Sequence, residues 1–181
     1  NNLLTPILSV VAIMCISLVI NIKNFSASET FVAFSYILRW ILYASLFFIV
    51  KDFSKKFKEK IIYLLLVIGA LFTMLGFIQY FFYSNLRNLY YLGWDEHMYR
   101  MFSTFLDPNF AGAFFVLYLF FLLGILLYLL NNNKIKQLWI IGLLSVFALA
   151  SIFLTYSRSA LIMLLATTIV FSILAKKIKW T

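Results

Sequence analysis

Residues 109 to 130 of the chain read NFAGAFFVLYLFFLLGILLYLL, an apolar stretch that contains no charged side chain. A helix needs roughly 20 apolar residues to cross the hydrocarbon core of a bilayer, so this stretch predicts a membrane-spanning helix. Five further stretches come within a few residues of the same requirement. The six predicted spans are Leu3–Ile22, Phe31–Val50, Ile61–Tyr83, Asn109–Leu130, Leu138–Tyr156 and Ser159–Ala175.

The composition of the whole chain agrees with these spans. Its 181 residues are 65% hydrophobic and only 12% charged, and their mean hydropathy is +1.01. Soluble globular domains carry about 25% charged residues. We therefore predict an all-α, polytopic membrane protein in which residues 1 to 181 form a single transmembrane helical domain. Because the sequence begins at Asn1 and ends just after a basic Lys-Lys-Ile-Lys run, we interpret it as a segment of a longer protein.

The lysines are distributed unevenly over the predicted loops. A net charge of +9 would suit nucleic acid, but a topological role explains lysines in short connections between spans, so we predict no nucleic-acid partner. The positive-inside rule places the lysine-rich loops in the cytoplasm, and the segment from Ser84 to Pro108 is then predicted to lie outside. Ten lysines follow the second, fourth and sixth spans: Lys51, Lys55, Lys56, Lys58, Lys60, Lys134, Lys136, Lys176, Lys177 and Lys179.

The arginines follow a different pattern from the lysines. Arg87, Arg100 and Arg158 fall on the predicted outer face, whereas Arg39 falls near the middle of the second span. Guanidinium binds phosphate through two parallel hydrogen bonds, so these residues indicate an anion such as a lipid-linked phosphate. The alternative is that they only extend to lipid headgroups, and we favour this for Arg87.

Arg39 needs a partner, because an unpaired charge within a membrane span costs a few kcal/mol or more. No carboxylate of the chain falls at the same depth in a span. A bound anion, a backbone carbonyl, a water-filled cavity or a part of the protein outside this sequence are the candidate partners. We predict that Arg39 contributes to substrate binding.

Two helix starts on the predicted outer face lie close to arginines. Asp107 is a suitable N-cap and Pro108 a suitable first residue for the fourth span. Arg100 precedes this start, where free N–H groups and the helix dipole favour an anion. Arg158 opens the sixth span, which Ser157 or Ser159 can cap. The two arginines are predicted to converge on one anion.

Two motifs carry a resemblance to a known family. The sequence Arg100-x-x-Ser-Thr-Phe-x-Asp-Pro-Asn109, followed two spans later by Thr155-x-Ser-Arg158-Ser-Ala, resembles the O-antigen ligase and polysaccharide polymerase family of bacterial membrane glycosyltransferases. Family members usually read Arg-x-x-Gly-Thr-Phe-x-Asn-Pro-Asn and Thr-Gly-Ser-Arg-Gly or Thr-Gly-Ser-Arg-Ala. Departures from that pattern occur at three positions, Ser103, Asp107 and Tyr156.

The resemblance implies an enzyme of bacterial surface polysaccharide biosynthesis, such as O-antigen, capsule or exopolysaccharide. It would transfer or polymerise glycans from an undecaprenyl-diphosphate carrier to an acceptor glycan or lipid, at the extracytoplasmic face of the cytoplasmic (inner) membrane and without metal or cofactor. The same resemblance implies that Arg100 and Arg158 are catalytic residues holding the diphosphate, and that Thr104, Asn109 and Ser157 bind substrate. The family usually has more spans and a base histidine in a later outer loop, which is expected beyond Thr181.

Other interpretations remain open at the level of sequence. His97 could act as the base. The simpler interpretation is a histidine that lies at the membrane interface and packs among Trp94 and Tyr99. The acidic residues Asp95, Glu96 and Asp107 lack a ligand spacing, so we predict no metal site. Membrane arginines could also line the path of an anion transporter or channel. A non-catalytic membrane scaffold is the third possibility.

Overall fold

The structure is a computed structural model that describes residues 4 to 178, and the regular secondary structure within that range is all helical. The six α-helices are α1 (Leu4–Asn21), α2 (Ala27–Asp52), α3 (Lys55–Phe82), α4 (Pro108–Asn131), α5 (Ile135–Leu154) and α6 (Arg158–Ile178). Two short 3-10 helices follow α1 and α3, at Ile22–Asn24 and Arg87–Leu92. Each of the six regions is long and apolar enough to cross a membrane. The predicted all-α, multi-pass membrane fold is confirmed.

The helix bounds differ from the predicted spans where polar residues extend a helix. α2 begins at Ala27 rather than Phe31, because Ser26 and Glu29 form a capping box in which the Glu29 carboxylate accepts from the Ser26 N–H at 2.8 Å. α3 begins among the lysines, at Lys55. The predicted first residue of the first span, Leu3, lies outside the described residues, as does Lys179 of the last lysine cluster.

The chain divides into two compact units, Asn1–Ile61 and Ile62–Thr181. In the first unit α1 packs against α2. Of the described side chains of this unit, Ile37 is the one that is buried. Most of its apolar surface is therefore available to lipid or to other helices.

In the second unit α4 occupies the centre. It packs along α5 and along α6. Packing between helices in a bilayer depends on close van der Waals contact rather than on the removal of apolar surface from water. The fully buried apolar side chains that α4 and α5 contribute to the core are Ala111, Phe115, Val116, Leu122, Ala148 and Ile152.

Two glycines allow α3 and α6 to approach α4 closely. The Tyr118 ring of α4 fills the space in which Gly69 of α3 would carry a side chain, and the Tyr118 hydroxyl donates to the Leu66 carbonyl at 3.0 Å. At the other contact, a Cβ on Gly112 would lie 2.6 Å from the Cβ of Ala160. The start of α6 therefore lies directly against the first turns of α4.

The connection between α3 and α4 is folded rather than extended. Its two ends are joined by backbone hydrogen bonds from Leu86 to the Glu96 carbonyl at 2.7 Å and from Tyr99 to the Ser84 carbonyl at 2.8 Å. Arg87 pairs with the carboxylate of Glu96 at 3.1 Å. Both side chains are exposed enough that this pair adds little stability. Arg87 thus has a protein partner within its own loop.

Candidate functional site

The two arginine motifs meet at one end of the second unit. The guanidinium of Arg100 donates from Nε to the Thr155 carbonyl at 2.9 Å and from Nη2 to the Tyr156 carbonyl at 3.3 Å. Beside it, the N–H of Met101 donates to the Leu154 carbonyl at 2.8 Å. Residues that are 55 positions apart in sequence are therefore in direct contact.

The Arg100 side chain is directed at the end of α5. The last carbonyl groups of a helix lack partners within the helix and carry its negative dipole end, so a guanidinium there is favourable. Arg100 is half-buried, and its Nη1 group has no protein partner among the described residues. From the sequence we expected this residue to serve the start of α4. Its observed hydrogen bonds instead hold the turn that leads into α6.

The starts of α4 and α6 are joined by side chains predicted to bind substrate. The Ser157 hydroxyl donates to Oδ1 of Asn109 at 2.8 Å and accepts from the N–H of Ala160 at 3.2 Å. A hydroxyl has one proton, so the Ser159 hydroxyl, 2.9 Å away, must donate to Ser157. Ser157 is therefore the residue that caps α6, and Ser159 supports it.

The start of α4 already holds a negative charge. Asp107 is its N-cap, as predicted, and the carboxylate accepts from the N–H of Asn109 at 2.6 Å. Pro108 has no N–H to offer. Because a carboxylate already occupies the positive end of the dipole, this helix start is a poor place for a second anion.

The start of α6 is different, because its donors are unused. Arg158 is exposed, and its side chain makes no hydrogen bond or ion pair with any described residue. The backbone N–H groups of Arg158 and Ser159 likewise have no acceptor in the described part of the chain, as is usual for the first residues of a helix. A permanent cation, two free N–H groups and the dipole of α6 therefore coincide at this point.

Two further predicted site residues lie elsewhere. Thr104 is exposed and lies in the turn that leads into α4. Arg39 lies on α2 in the first unit, also exposed, with its guanidinium carbon 4.5 Å from the centre of the Tyr36 ring. A cation over an aromatic face is favourable. Arg39 therefore has an aromatic partner, which was not among the candidates predicted from the sequence.

The candidate base and the acidic residues do not form a compact site. His97 is half-buried, with φ of 43°, and its carbonyl accepts from the Arg100 N–H at 3.3 Å. Its imidazole has no hydrogen-bond partner among the described residues. Within the same residues no group of three or more His, Cys, Asp and Glu side chains could hold a metal ion.

One further residue of the site was not predicted from the sequence. Gln79 of α3 is buried, and its side-chain amide bonds the backbone of the Arg100 motif at three points. A glutamine inside an otherwise apolar span was a signal that could have been used, since polar side chains in membrane helices usually have a partner. Its partners are backbone groups, which leave no mark on a sequence.

Four cavities among the described residues lie away from the two motifs. They are lined almost entirely by apolar side chains, in the first unit and in a groove of α4 and α5 beside Trp139 and Gly142.

No family model, no curated protein and no solved structure matches the chain. The contacts of the two motifs are therefore the basis for a functional interpretation.

Proposed function

We propose that the chain is part of a bacterial membrane glycosyltransferase of the O-antigen ligase or polysaccharide polymerase kind. Its substrates in this proposal are an undecaprenyl-diphosphate-linked glycan and an acceptor glycan or lipid. The end of the second unit that carries Arg100 and Arg158 then faces outward from the cytoplasmic membrane. The proposal rests on the two motifs and on the contact between them.

The observation that carries the proposal is the unused cationic site at the start of α6. Arg158 has no protein partner among the described residues, and the adjacent N–H groups are free. A diphosphate matches these donors, because guanidinium and helix N-termini are the groups that bind phosphate oxygens best. The neighbouring Asn109, bound to Ser157 through Oδ1, keeps its Nδ2 group available for a further acceptor.

The backbone at two departures from the family pattern also supports the proposal. Ser103 and Tyr156 stand where family members usually have glycine, and their φ angles are 52° and 49°. Only glycine adopts this left-handed region readily. The third departure, Asp107, still caps its helix as asparagine would. The three differences are therefore compatible with the backbone that the family pattern requires.

The chemistry assigned to the site is displacement at a sugar carbon. The bond between the anomeric carbon and the diphosphate oxygen breaks, and its electron pair leaves with the diphosphate. An acceptor hydroxyl forms the new bond to the anomeric carbon, and its proton passes to a base, which the family resemblance places in a later outer loop. Positive charge at the diphosphate favours this step, because negative charge develops on the leaving oxygen. We assign this role to Arg158, and we assign the placement of the α5–α6 turn to Arg100.

The proposal is tested by diphosphate binding to the full chain purified in detergent. Farnesyl diphosphate serves as a short polyprenyl diphosphate, and farnesol as the same lipid without the charge. We expect farnesyl diphosphate, but not farnesol, to raise the temperature of thermal unfolding, because a ligand that binds only the folded state stabilises it. Arg158→Ala should abolish the shift, and Arg158→Lys should remove most of it, since an ammonium cannot form two parallel hydrogen bonds.

Arg87→Ala is the matched control, because Arg87 is likewise an exposed arginine of the predicted outer face but is paired with Glu96. It should leave farnesyl diphosphate binding unchanged. An equal response to farnesol, or an equal loss in the Arg87 and Arg158 variants, would contradict the proposal. Binding of inorganic pyrophosphate together with its uptake into proteoliposomes would favour the anion transporter instead.

A further inference from the structure

Gln79 of α3 has a side chain whose hydrogen-bonding capacity is fully used. Its Nε2 group donates to the Tyr83 carbonyl at 2.9 Å and to the Arg100 carbonyl at 3.2 Å. Its Oε1 atom accepts from the N–H groups of Phe102 at 2.8 Å and Ser103 at 3.1 Å. A primary amide offers two N–H donors and one oxygen with two lone pairs, so no capacity is left over.

The placement of these bonds gives them energetic weight. Gln79, Phe102 and Ser103 are buried, and a buried backbone N–H without an acceptor costs free energy comparable to a lost hydrogen bond. Water cannot easily replace the amide there. The backbone from Arg100 to Ser103 is therefore fixed to α3 by one side chain, together with the bond from the Ser103 hydroxyl to the Phe72 carbonyl at 2.8 Å.

The same segment fixes the turn between α5 and α6. The Arg100 guanidinium holds the carbonyls of Thr155 and Tyr156, and the Met101 N–H holds the Leu154 carbonyl. A continuous series of hydrogen bonds thus runs from α3 through the Arg100 segment to the residues just before Arg158.

The turn continues this series into the start of α6. The buried Thr155 hydroxyl donates to the Ile152 carbonyl at 2.7 Å and accepts from the Ser157 N–H at 3.3 Å. Ser157 then caps α6 and contacts Asn109. Because these bonds connect the Arg100 segment to the turn, we expect a shift of that segment to displace the backbone that presents Arg158.

We propose that Gln79 is a positioning residue for the diphosphate site, setting Arg100 and, through it, the turn that presents Arg158. This inference rests on the proposed function for the identity of the ligand. The hydrogen-bonded series itself does not depend on that ligand, and the two are tested by different measurements.

The test uses three variants of the full chain in detergent. Gln79→Leu removes all four hydrogen bonds at similar volume. Gln79→Glu keeps an oxygen that accepts from the N–H groups of Phe102 and Ser103, but it loses the N–H groups that donate to the other two partners. This variant replaces Gln79→Leu in the test if the leucine variant fails to fold. Thr73→Val is the matched control, since Thr73 is also buried in α3 but its hydroxyl bonds only the Gly69 carbonyl of its own helix, at 2.8 Å.

The first measurement is hydrogen exchange, which needs no ligand. We expect Gln79→Leu to accelerate exchange in peptides covering residues 101 to 105 and also in those covering residues 155 to 161. Gln79→Glu should accelerate exchange at residues 155 to 161 more than at residues 101 to 105, because the bonds to the Phe102 and Ser103 N–H groups survive. Thr73→Val should change neither. Unchanged exchange at residues 155 to 161 in both Gln79 variants overturns the inference.

The second measurement is the affinity for farnesyl diphosphate. In metal sites, replacing a residue that orients a ligand-binding side chain without touching the ligand itself typically lowers the affinity by about 10- to 100-fold. We expect Gln79→Leu to lower the affinity for farnesyl diphosphate by about tenfold or more. Thr73→Val should lower this affinity by less than about twofold when the two variants are compared at an equal loss of thermal stability. Equal losses in both variants overturn the positioning role. If the unchanged protein binds no farnesyl diphosphate, the proposed function fails, whereas the exchange data still decide whether Gln79 sets the turn.

Discussion

Ser157 and Asn109 join the starts of two membrane helices through one hydrogen bond of 2.8 Å. Because the same Ser157 hydroxyl also accepts from the N–H of Ala160, it is both a cap and a cross-link. Ser157→Ala should therefore lower the free energy of unfolding by about 1 to 2 kcal/mol, the usual range for a lost cap and a lost hydrogen bond. Ser159→Ala removes only a supporting bond of an exposed residue and should cost less than about 0.5 kcal/mol. Denaturation in detergent would show the difference, and equal effects would disprove the dual role.

The contact between Gly112 and Ala160 limits what α4 can carry at its first turns. A Cβ at Gly112 would lie 2.6 Å from the Cβ of Ala160, and neither atom can rotate away. Gly112→Ala should separate the helices and cost about 1 to 3 kcal/mol. Gly124 of the same helix has open space around it, so Gly124→Ala should be neutral or slightly stabilising. Thermal unfolding of the two variants gives the comparison, and a harmless Gly112→Ala would exclude the close packing.

Tyr156 adopts a left-handed backbone, with φ of 49°, although 64% of its surface is exposed. That conformation costs an ordinary residue about 1 to 2 kcal/mol, whereas glycine pays only about 0.5 to 1 kcal/mol in chain entropy. Tyr156→Gly should therefore be neutral or raise the unfolding temperature. Tyr128→Gly, at 60% exposure in the last turn of α4, should lower it, because glycine weakens a helix. The same sign for both variants would argue against strain at Tyr156.

Asp107 should be replaceable by asparagine but not by alanine. Asp107→Asn keeps an acceptor for the N–H of Asn109, whereas Asp107→Ala loses the cap and should cost about 1 kcal/mol. The asparagine variant also removes a negative charge near the start of α6. In a solvated site such a charge opposes a nearby anion by a few tenths of a kcal/mol, the Coulomb energy of two unit charges about 10 Å apart in water. Farnesyl diphosphate should then bind up to about twofold more tightly to Asp107→Asn. Loss of binding in that variant would instead indicate a role specific to the carboxylate.

The orientation of the chain can be tested with single cysteines. The only native cysteine, Cys15, is first replaced by serine. From the positive-inside rule we expect a cysteine at Asn88 to react with a membrane-impermeant thiol reagent in intact cells, and a cysteine at Lys56 to react only after lysis. Both positions are exposed in the structure, so burial does not confound the comparison. The reverse labelling pattern would place the arginine site in the cytoplasm.

The apolar spans were predictable because each is a property of a continuous stretch of sequence. The ends were less so: α3 begins at Lys55, six residues before its predicted start at Ile61, since lysines are good helix formers whatever the hydropathy. α5 ends at Leu154, before the predicted Tyr156, because the left-handed backbone of that tyrosine cannot continue a helix.

The candidate site was predictable only in part. Residue type identified Arg100 and Arg158, and cap preferences identified Asp107 and Ser157. The hydrogen bonds of Arg100 go to backbone carbonyls, which every residue possesses, so no sequence pattern could name Thr155 and Tyr156 as its acceptors. For the same reason the contact of Gln79 with the Arg100 segment required coordinates.

The distance in sequence between Arg100 and the carbonyls it binds has a consequence for biosynthesis. The acceptor carbonyl of Thr155 is made 55 residues after the guanidinium that binds it, and ribosomes add roughly 5 to 20 residues per second. For about 3 to 11 seconds after its own synthesis, Arg100 therefore has no helix end to hold. During that interval α4 and α5 are inserted into the bilayer, and the helices that precede them lack the contact between Arg100 and the end of α5. The contact between Arg100 and the α5–α6 turn is thus formed late in translation, only when the start of α6 has left the ribosome.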